Sequence, residues 1–131
     1  MVPIVYINCS LFPFVAWIMA GKKLYETRNR NTLKALIGKR VYIAITGGKK
    51  AVVACSATIE SLTIVESKKA FNSFRKQTMI QSGSLFDWKP ETKKKYLYKL
   101  SNVVPVVAFP VPENVVRHGR VYCEMKGGND L

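Results

Sequence analysis

Residues 38–65 have the sequence GKRVYIAITGGKKAVVACSATIESLTIV, and this stretch decides the fold. Val, Ile and Thr are frequent on both sides of the pair Gly47 and Gly48, and β-branched residues of this kind favour extended strands. Two adjacent glycines suit a turn between neighbouring strands, because glycine adopts backbone conformations that other residues avoid. The stretch therefore predicts a β-hairpin with strands at residues 40–46 and 51–65.

The same strand-forming composition occurs on both sides of this hairpin. Residues 2–9, 96–107 and 120–125 are rich in Val, Leu and Tyr, which predicts further strands. Residues 10–21 have apolar side chains at helical spacing, and residues 67–80 place Lys and Arg between apolar positions, which is typical of a basic amphipathic helix. The chain thus predicts an α+β protein that is mostly β, a barrel of roughly six strands with two or three inserted helices.

Length and composition predict one folded domain. The chain has 131 residues and is 48% hydrophobic, which is enough to bury a core without disulfide bonds. We expect a single domain over residues 1–131 with a flexible tail at 126–131. Pro3 and Pro13 interrupt the uncharged residues 1–20, so we expect a strand and a helix there, no membrane anchor, and a cytoplasmic or, in a eukaryote, nuclear protein.

The three cysteines form no recognisable metal or disulfide pattern. Cys9, Cys55 and Cys123 are far apart in the sequence and His118 is the one histidine, whereas zinc sites use closely spaced ligand pairs. An odd number of separated cysteines also argues against a disulfide framework. The sequence contains neither a P-loop nor a dinucleotide fingerprint, so we expect no metal and no cofactor.

The charge balance indicates a polyanionic partner. Lys and Arg number 21 against 8 Asp and Glu, giving a formal net charge of +13 and an isoelectric point near 9.9. Basic side chains bind a phosphate backbone by releasing its counterions, and this attraction weakens as salt rises. Nucleic acid, RNA or DNA, is therefore the expected partner, while a solvated basic surface and anionic lipid headgroups are the alternatives.

Residues 21–28, GKKLYETR, form the densest group of polar side chains beside apolar sequence. In a chain that is extended from residue 24 onward, Glu26 and Arg28 share one face and Tyr25 and Thr27 share the other. Pairing of the two charges would hold the guanidinium in place and leave its other donors for a phosphate or a base, with Lys23 as a mobile cation at the rim. An ordinary surface ion pair of little energetic consequence is the alternative.

The same segment resembles the signature of the ASCH family, G-x-K-x-x-E-x-R. Pro13 and Phe14 match a proline and an aromatic residue upstream of that signature, and residues 38–44 are similar to the glycine, basic residue and strand that follow it. The resemblance implies a PUA-like β-barrel with a basic cleft beside the signature, a fold associated with RNA recognition and, in some members, with DNA binding. The signature positions in this chain are Gly21, Lys23, Glu26 and Arg28.

The resemblance also implies a module that binds nucleic acid, above all RNA or single-stranded nucleic acid. Lys23, Glu26 and Arg28 would line the cleft, and Tyr25, with Trp88 or Tyr96, would offer an aromatic face to an unpaired base. Each of these aromatic residues equally suits a place in the core, and each basic residue a solvated surface. Phosphate contacts would come from the remaining candidates, Lys93, Lys94, Lys95, Arg117, His118 and Arg120.

Enzymatic and adaptor functions are the alternatives within the family. One ASCH branch resembles an amidohydrolase that removes an acetyl group from a modified cytidine with a lysine, a threonine and a glutamate. Lys23 matches that lysine, but Glu26 stands in place of the threonine, and Asn72 and Phe74 lie where a distant carboxylate is expected.

Another branch is similar to a ribonuclease, for which Lys23, Tyr25 and Glu26 are the clustered candidates. If the protein is an enzyme, Lys23 and Glu26 are the predicted catalytic residues; a protein-interaction adaptor is the third possibility.

Overall fold

The computed structural model of the protein describes residues 2–48, 50–119 and 121–126. A 3₁₀ turn at Lys34–Leu36 precedes the central hairpin. The strands and helices, in chain order, are β1 (Val2–Asn8), α1 (Phe14–Met19), β2 (Tyr25–Arg28), β3 (Arg40–Thr46), β4 (Val52–Val65), α2 (Lys68–Asn72), α3 (Arg75–Thr78), β5 (Lys95–Pro110), β6 (Val115–His118) and β7 (Tyr122–Met125).

The predicted hairpin is confirmed and forms the centre of the sheet. Strands β3 and β4 pair antiparallel, with Val41 opposite Ala57 and Ile43 opposite Cys55. Gly47 in the connecting turn has a φ of +96°, and a Cβ there would lie 2.9 Å from the Asn8 side-chain oxygen, so the turn requires glycine. The β-rich α+β character of the chain follows from this hairpin and the strands on either side of it.

Seven strands form one sheet in the order β2-β5-β4-β3-β1-β7-β6. Strand β1 runs parallel to β3, and the other neighbouring pairs are antiparallel. The predicted closed barrel is not confirmed, since no pairing of the described residues joins the edge strands β2 and β6. Strand β2 has four residues and, within the described part of the chain, pairs only with β5. Its Arg28 side chain, rather than a backbone ladder, crosses to β1 through a 2.7 Å hydrogen bond to the Tyr6 carbonyl.

The sheet buries side chains on both of its faces. Val5 and Ile43 belong to the main core with the helices, whereas their neighbours Ile4 and Ala44 belong to a second, smaller core. This alternation is the period of two expected of strands. The second core is covered by the end of β5, where the ring of Phe109 meets Tyr42 edge-on at 5.5 Å. Both faces of the central strands are therefore covered by protein.

The single basic helix predicted at residues 67–80 is wrong, because the chain forms α2 and α3 instead. Ser67 caps α2 by accepting a 3.0 Å hydrogen bond from the Ala70 amide. At the other end, the amide and the hydroxyl of Ser73 both donate to the Ala70 carbonyl, which a continuous helix would offer to Phe74. The Phe74 amide donates to Phe71 instead, so the helix breaks there.

Two further outcomes concern the ends of the chain. Strand β6 was not predicted from the sequence, and the last predicted strand is observed as β7, Tyr122–Met125. The predicted tail lies outside the described residues except for Lys126. The uncharged residues 1–20 contain β1 and α1. No helix in the described ranges has the length and the apolar composition needed to cross a membrane.

Candidate functional site

A cavity of about 1200 Å³ lies where β2 faces the end of β1. Its walls come from these two strands, the turn after β3, the loop before β5 and the segment between β5 and β7. Polar side chains on the walls include both members of the predicted ion pair and a buried lysine. Its charged lining residues among those described are Glu26, Arg28, Lys50, Lys95, Glu113 and Arg117.

The Glu26 and Arg28 side chains share one face and pair, as the sequence predicts. Arg28 Nη2 lies 3.1 Å from Glu26 Oε2, and the side chains are only 20% and 9% exposed. The other Glu26 oxygen accepts from the Thr27 amide at 3.1 Å. With Nη2 held by Glu26 and the Tyr6 carbonyl, Nε and Nη1 of Arg28 have no hydrogen-bond partner among the described residues. The pair therefore presents an oriented guanidinium with unused donors to the cavity.

Lys23 is not a mobile cation at the rim, because its side chain is buried and only 1% exposed. Its Nζ donates to the Thr78 carbonyl at 2.5 Å and lies 4.5 Å from the centre of the Phe14 ring. Burial lowers the pKa of Lys23 to about 8, although the Glu26 carboxylate acts in the opposite direction. Phe14 lines the cavity and Lys23 does not, so the lysine lies behind this aromatic wall.

Tyr25 is half-buried on the opposite side of β2 from the ion pair. Its ring meets Phe74 edge-on at 5.5 Å and packs against the main core. Trp88 is likewise half-buried, with its ring 6.0 Å from that of Phe71. Neither Tyr25 nor Trp88 lines the cavity among the described residues, and their base-stacking roles stay predictions. Tyr96 lies at a second, smaller pocket beside the cavity.

The lysine run 93–95 is divided between two environments. Lys95 is buried and lines the cavity, and its Nζ donates to Asn29 Oδ1 at 2.8 Å and to the Phe86 carbonyl at 3.0 Å. Burial lowers the pKa of Lys95, and the Asp87 carboxylate partly offsets this. Lys93 and Lys94 are exposed and line the smaller pocket of about 540 Å³.

The three candidates near residue 118 also differ in their positions. Arg117 is exposed and lines the cavity. His118 points elsewhere, with Nε2 2.8 Å from Glu124 Oε1 and its ring stacked on Tyr122 at a centroid distance of 4.5 Å. These contacts engage one nitrogen and one face of the imidazole within the protein. Arg120 lies outside the described residues.

Several cavity residues were not predicted from the sequence. Lys50 follows the glycine turn, and Tyr6 and Asn8 come from the end of β1. No local motif marks them, since they meet only when β1 and β3 pair. The loop at residues 81–91 supplies Leu85 and Phe86 to the cavity.

A buried acid anchors that loop. Asp87 lies 2.6 Å from Arg75 and accepts hydrogen bonds from the Gly83 and Trp88 amides at 2.8 and 2.7 Å. Burial raises the pKa of Asp87, but the bonds from Gly83, Arg75 and Trp88 outweigh that effect and lower it to about 2. The carboxylate therefore stays ionised and holds the loop against the helices.

The described residues contain no cluster of His, Cys, Asp and Glu suited to a metal ion. Cys55 and Cys123 are buried and Cys9 is partly buried, all as free thiols. Burial raises the pKa of each of the three thiols. None of these sulfur atoms lines the cavity, so the site's chemistry depends on its amines, guanidinium groups and carboxylates.

The seven-stranded sheet with its short helices has the fold of an ASCH domain. The structural matches confirm the ASCH fold that the G-x-K-x-x-E-x-R resemblance implies, but not its β-barrel or its cleft. Crystal structures of ASCH from Zymomonas mobilis share it, with a TM-score of 0.72, 18% identity, and coverage of 95% of this chain and 87% of that chain. A serine-to-alanine variant and a tyrosine-to-phenylalanine variant of that protein match with the same TM-score, 18% and 19% identity, and coverage of 95% of this chain and 88% and 90% of theirs. No family model and no curated protein matches the sequence.

Proposed function

We propose that this domain binds single-stranded nucleic acid, RNA in the first place, with one nucleotide in the cavity. The observation that carries the proposal is the Arg28 guanidinium, which Glu26 and the Tyr6 carbonyl orient while its remaining donors stay free. A guanidinium held in this way suits phosphate oxygens or the edge of a base, because its donors form a rigid planar fork.

The surroundings of Arg28 support a nucleotide as the ligand. Lys50, Lys95 and Arg117 add positive charge to the same cavity, on a chain with a net charge of +13. Phe14 and Phe86 add aromatic surface, with their ring centroids 5.2 Å apart. Charge for the phosphate and aromatic surface for the base are the two elements that single-strand binding sites combine.

A single strand fits this geometry better than a duplex. A base inside a duplex is stacked and paired, so it enters a protein cavity only after its extrusion from the helix, which costs a few kcal/mol. An unpaired base avoids that cost. The proposal therefore expects tighter binding to single-stranded RNA or DNA than to duplex DNA of the same length.

The test is a binding titration with fluorescent single-stranded RNA, single-stranded DNA and duplex DNA at several salt concentrations. Arg28→Ala and Arg117→Ala remove charges that line the cavity, while Lys126→Ala removes an exposed charge that does not. We expect the two cavity variants to weaken single-strand binding by about tenfold or more, and Lys126→Ala to have a much smaller effect. Equal losses in all three variants would reduce the interaction to a general attraction by surface charge.

A hydrolase acting on a modified nucleoside or an RNA strand is the second candidate. The observation that favours it is the pKa of Lys23, about 8, because an amine with a lowered pKa is more often neutral and able to act as a base or nucleophile. Phe14 lies between this amine and the cavity, so the reaction requires that ring to move. Turnover of an acetylated cytidine or of RNA by the wild type, lost in Lys23→Met with binding intact, is the result that supports this candidate; no turnover in the wild type removes it.

The adaptor function stays a prediction, as does the cytoplasmic or nuclear location. A protein partner captured by the wild-type domain after nuclease treatment, with no measurable nucleic-acid affinity, would favour the adaptor. Loss of capture on nuclease treatment would favour direct nucleic-acid binding.

A further inference from the structure

A second pocket of about 540 Å³ adjoins the cavity. Asn29, Leu85 and Lys95 line both spaces, so these residues form a common border of the two pockets. Leu85 is 71% exposed at this border and offers apolar surface between the two pockets. Any ligand that extends from one pocket into the other passes over it.

The strand pairing places the two pockets next to each other. Arg28 of β2 lies directly opposite Tyr96 of β5; Arg28 lines the cavity and Tyr96 lines the second pocket. Lys95, the residue before Tyr96, is held in the wall between them by Asn29 and the Phe86 carbonyl. Lys95 and Tyr96 belong to β5, whereas Asn29, Leu85 and Phe86 belong to loops that pack beside it.

The exposed charge of the second pocket comes mainly from Lys93 and Lys94. Lys94 is 53% exposed and lies 3.7 Å from the exposed Glu66, a weak and solvent-screened contact. Lys93 has no ion-pair partner among the described residues. Lys89 is already engaged with the Ser84 carbonyl at 2.7 Å, and the nearby Asp87 is neutralised by Arg75. Two lysine ammonium groups therefore remain free to meet an anion, with Glu91 as the opposing charge on that wall.

We infer that the second pocket binds the phosphates that flank the nucleotide in the cavity, with Leu85 and Tyr96 contacting the neighbouring base. This inference rests on the proposed function and deepens it, because it makes the ligand a single-stranded oligonucleotide rather than a free nucleoside or mononucleotide. Lys93 and Lys94 act as phosphate contacts, and Leu85 supplies apolar surface where the strand passes from one pocket to the other.

The experiment compares ligand lengths in wild type and in two double variants. Lys93→Ala/Lys94→Ala removes the pocket lysines, and Lys68→Ala/Lys69→Ala is the matched control, since it removes two consecutive exposed lysines that line neither pocket. The ligands are a nucleoside monophosphate, a series of single-stranded RNA and DNA oligonucleotides of increasing length, and an inorganic polyphosphate of similar charge. Affinity is measured at several salt concentrations.

We expect wild-type affinity to rise from the monophosphate to short oligonucleotides. The pocket variant should lose about tenfold in oligonucleotide affinity, and its salt slope should fall by about 1.4, the value for two single-strand phosphate contacts, with monophosphate binding unchanged. The control variant should change much less. Equal effects of the two double variants, equal wild-type affinity for monophosphate and oligonucleotides, or equal affinity for polyphosphate and oligonucleotides would each overturn the inference.

The proposed function and this inference fail in different ways. Suppose that oligonucleotides bind, and that the cavity variant Arg117→Ala lowers their affinity but Lys93→Ala/Lys94→Ala does not. The proposed function of the cavity then stands, and the role inferred for the second pocket is wrong. If the wild type binds none of the nucleic acids, the proposed function itself is wrong.

Discussion

Two buried lysines, Lys23 and Lys95, differ in whether they line the cavity. Lys23 donates to the Thr78 carbonyl behind Phe14 and does not reach the cavity, whereas Lys95 donates to Asn29 and the Phe86 carbonyl and lines it. Burial lowers the pKa of both. The signature lysine is thus enclosed, while a lysine from an ordinary basic run faces the site.

The two lysines show that the burial of a charged side chain does not decide whether a ligand can reach it. The environment of Lys23 depends on helix α3 and the aromatic wall, so changing it should alter the stability of the fold. The environment of Lys95 depends on the loop at residues 81–91 and on Asn29, so changing it should alter the site.

The largest effect is expected in the pH dependence of stability through Lys23. Its pKa in the folded protein, about 8, lies below the ordinary value of 10.5, so the unfolded chain holds more protons between these two values. Stability should therefore rise with pH in this interval, by on the order of 3 kcal/mol in total. Urea unfolding of wild type and Lys23→Met across the interval should show the rise only in the wild type. Parallel curves would mean that Lys23 is solvated.

Asp87, which anchors the loop beside Lys95, should have the next largest effect. Asp87→Ala leaves Arg75 and the Gly83 and Trp88 amides without their acceptor, at an expected cost of about 2–3 kcal/mol. Because the folded pKa of about 2 lies below the ordinary 3.8, this contribution is complete above pH 3.8 and is lost as the pH falls toward 2. Chemical unfolding at neutral and acidic pH measures the loss of stability in Asp87→Ala and the disappearance of that loss at low pH. Glu91→Ala, an exposed acid on the same loop, is the control and should change little.

The third prediction compares the two lysines in ligand binding. Lys95→Met should weaken single-strand binding about tenfold, close to 1.4 kcal/mol, because it removes a charge from the cavity wall. Lys23→Met makes the same change of charge behind Phe14 and should leave affinity nearly unchanged. Circular dichroism of both variants checks that they are folded. An equal loss in both variants would contradict the separation of the two sites.

The smallest effect is expected for Tyr25, which lies on the side of β2 away from the ion pair. Tyr25→Leu removes the ring that packs on Phe74 but no group in the cavity. Affinity for a single-stranded oligonucleotide should stay within about twofold of the wild type, roughly 0.4 kcal/mol. A tenfold loss of affinity, measured in the same titration as the Lys95 variant, would instead mean that Tyr25 contacts the ligand.

Much of the local structure could be predicted because it depends on short-range pattern. The β-branched residues on both sides of Gly47 predicted the central hairpin, and strand periodicity placed Glu26 and Arg28 on one face. The helix break at Ser73 could not be predicted in this way, since the apolar spacing of residues 67–80 suits one continuous helix. At the break, the amide and the hydroxyl of Ser73 both donate to the Ala70 carbonyl.

By itself, the sequence determined the β-rich class and the ion pair on β2, because composition and a period of two act over a few residues. Only the tertiary structure decided which charges line the cavity. The Lys23 amine meets the Thr78 carbonyl across a separation of 55 residues, and Arg28 meets Tyr6 across 22. The burial of a side chain is set by distant elements that pack against it, and no local pattern encodes those contacts.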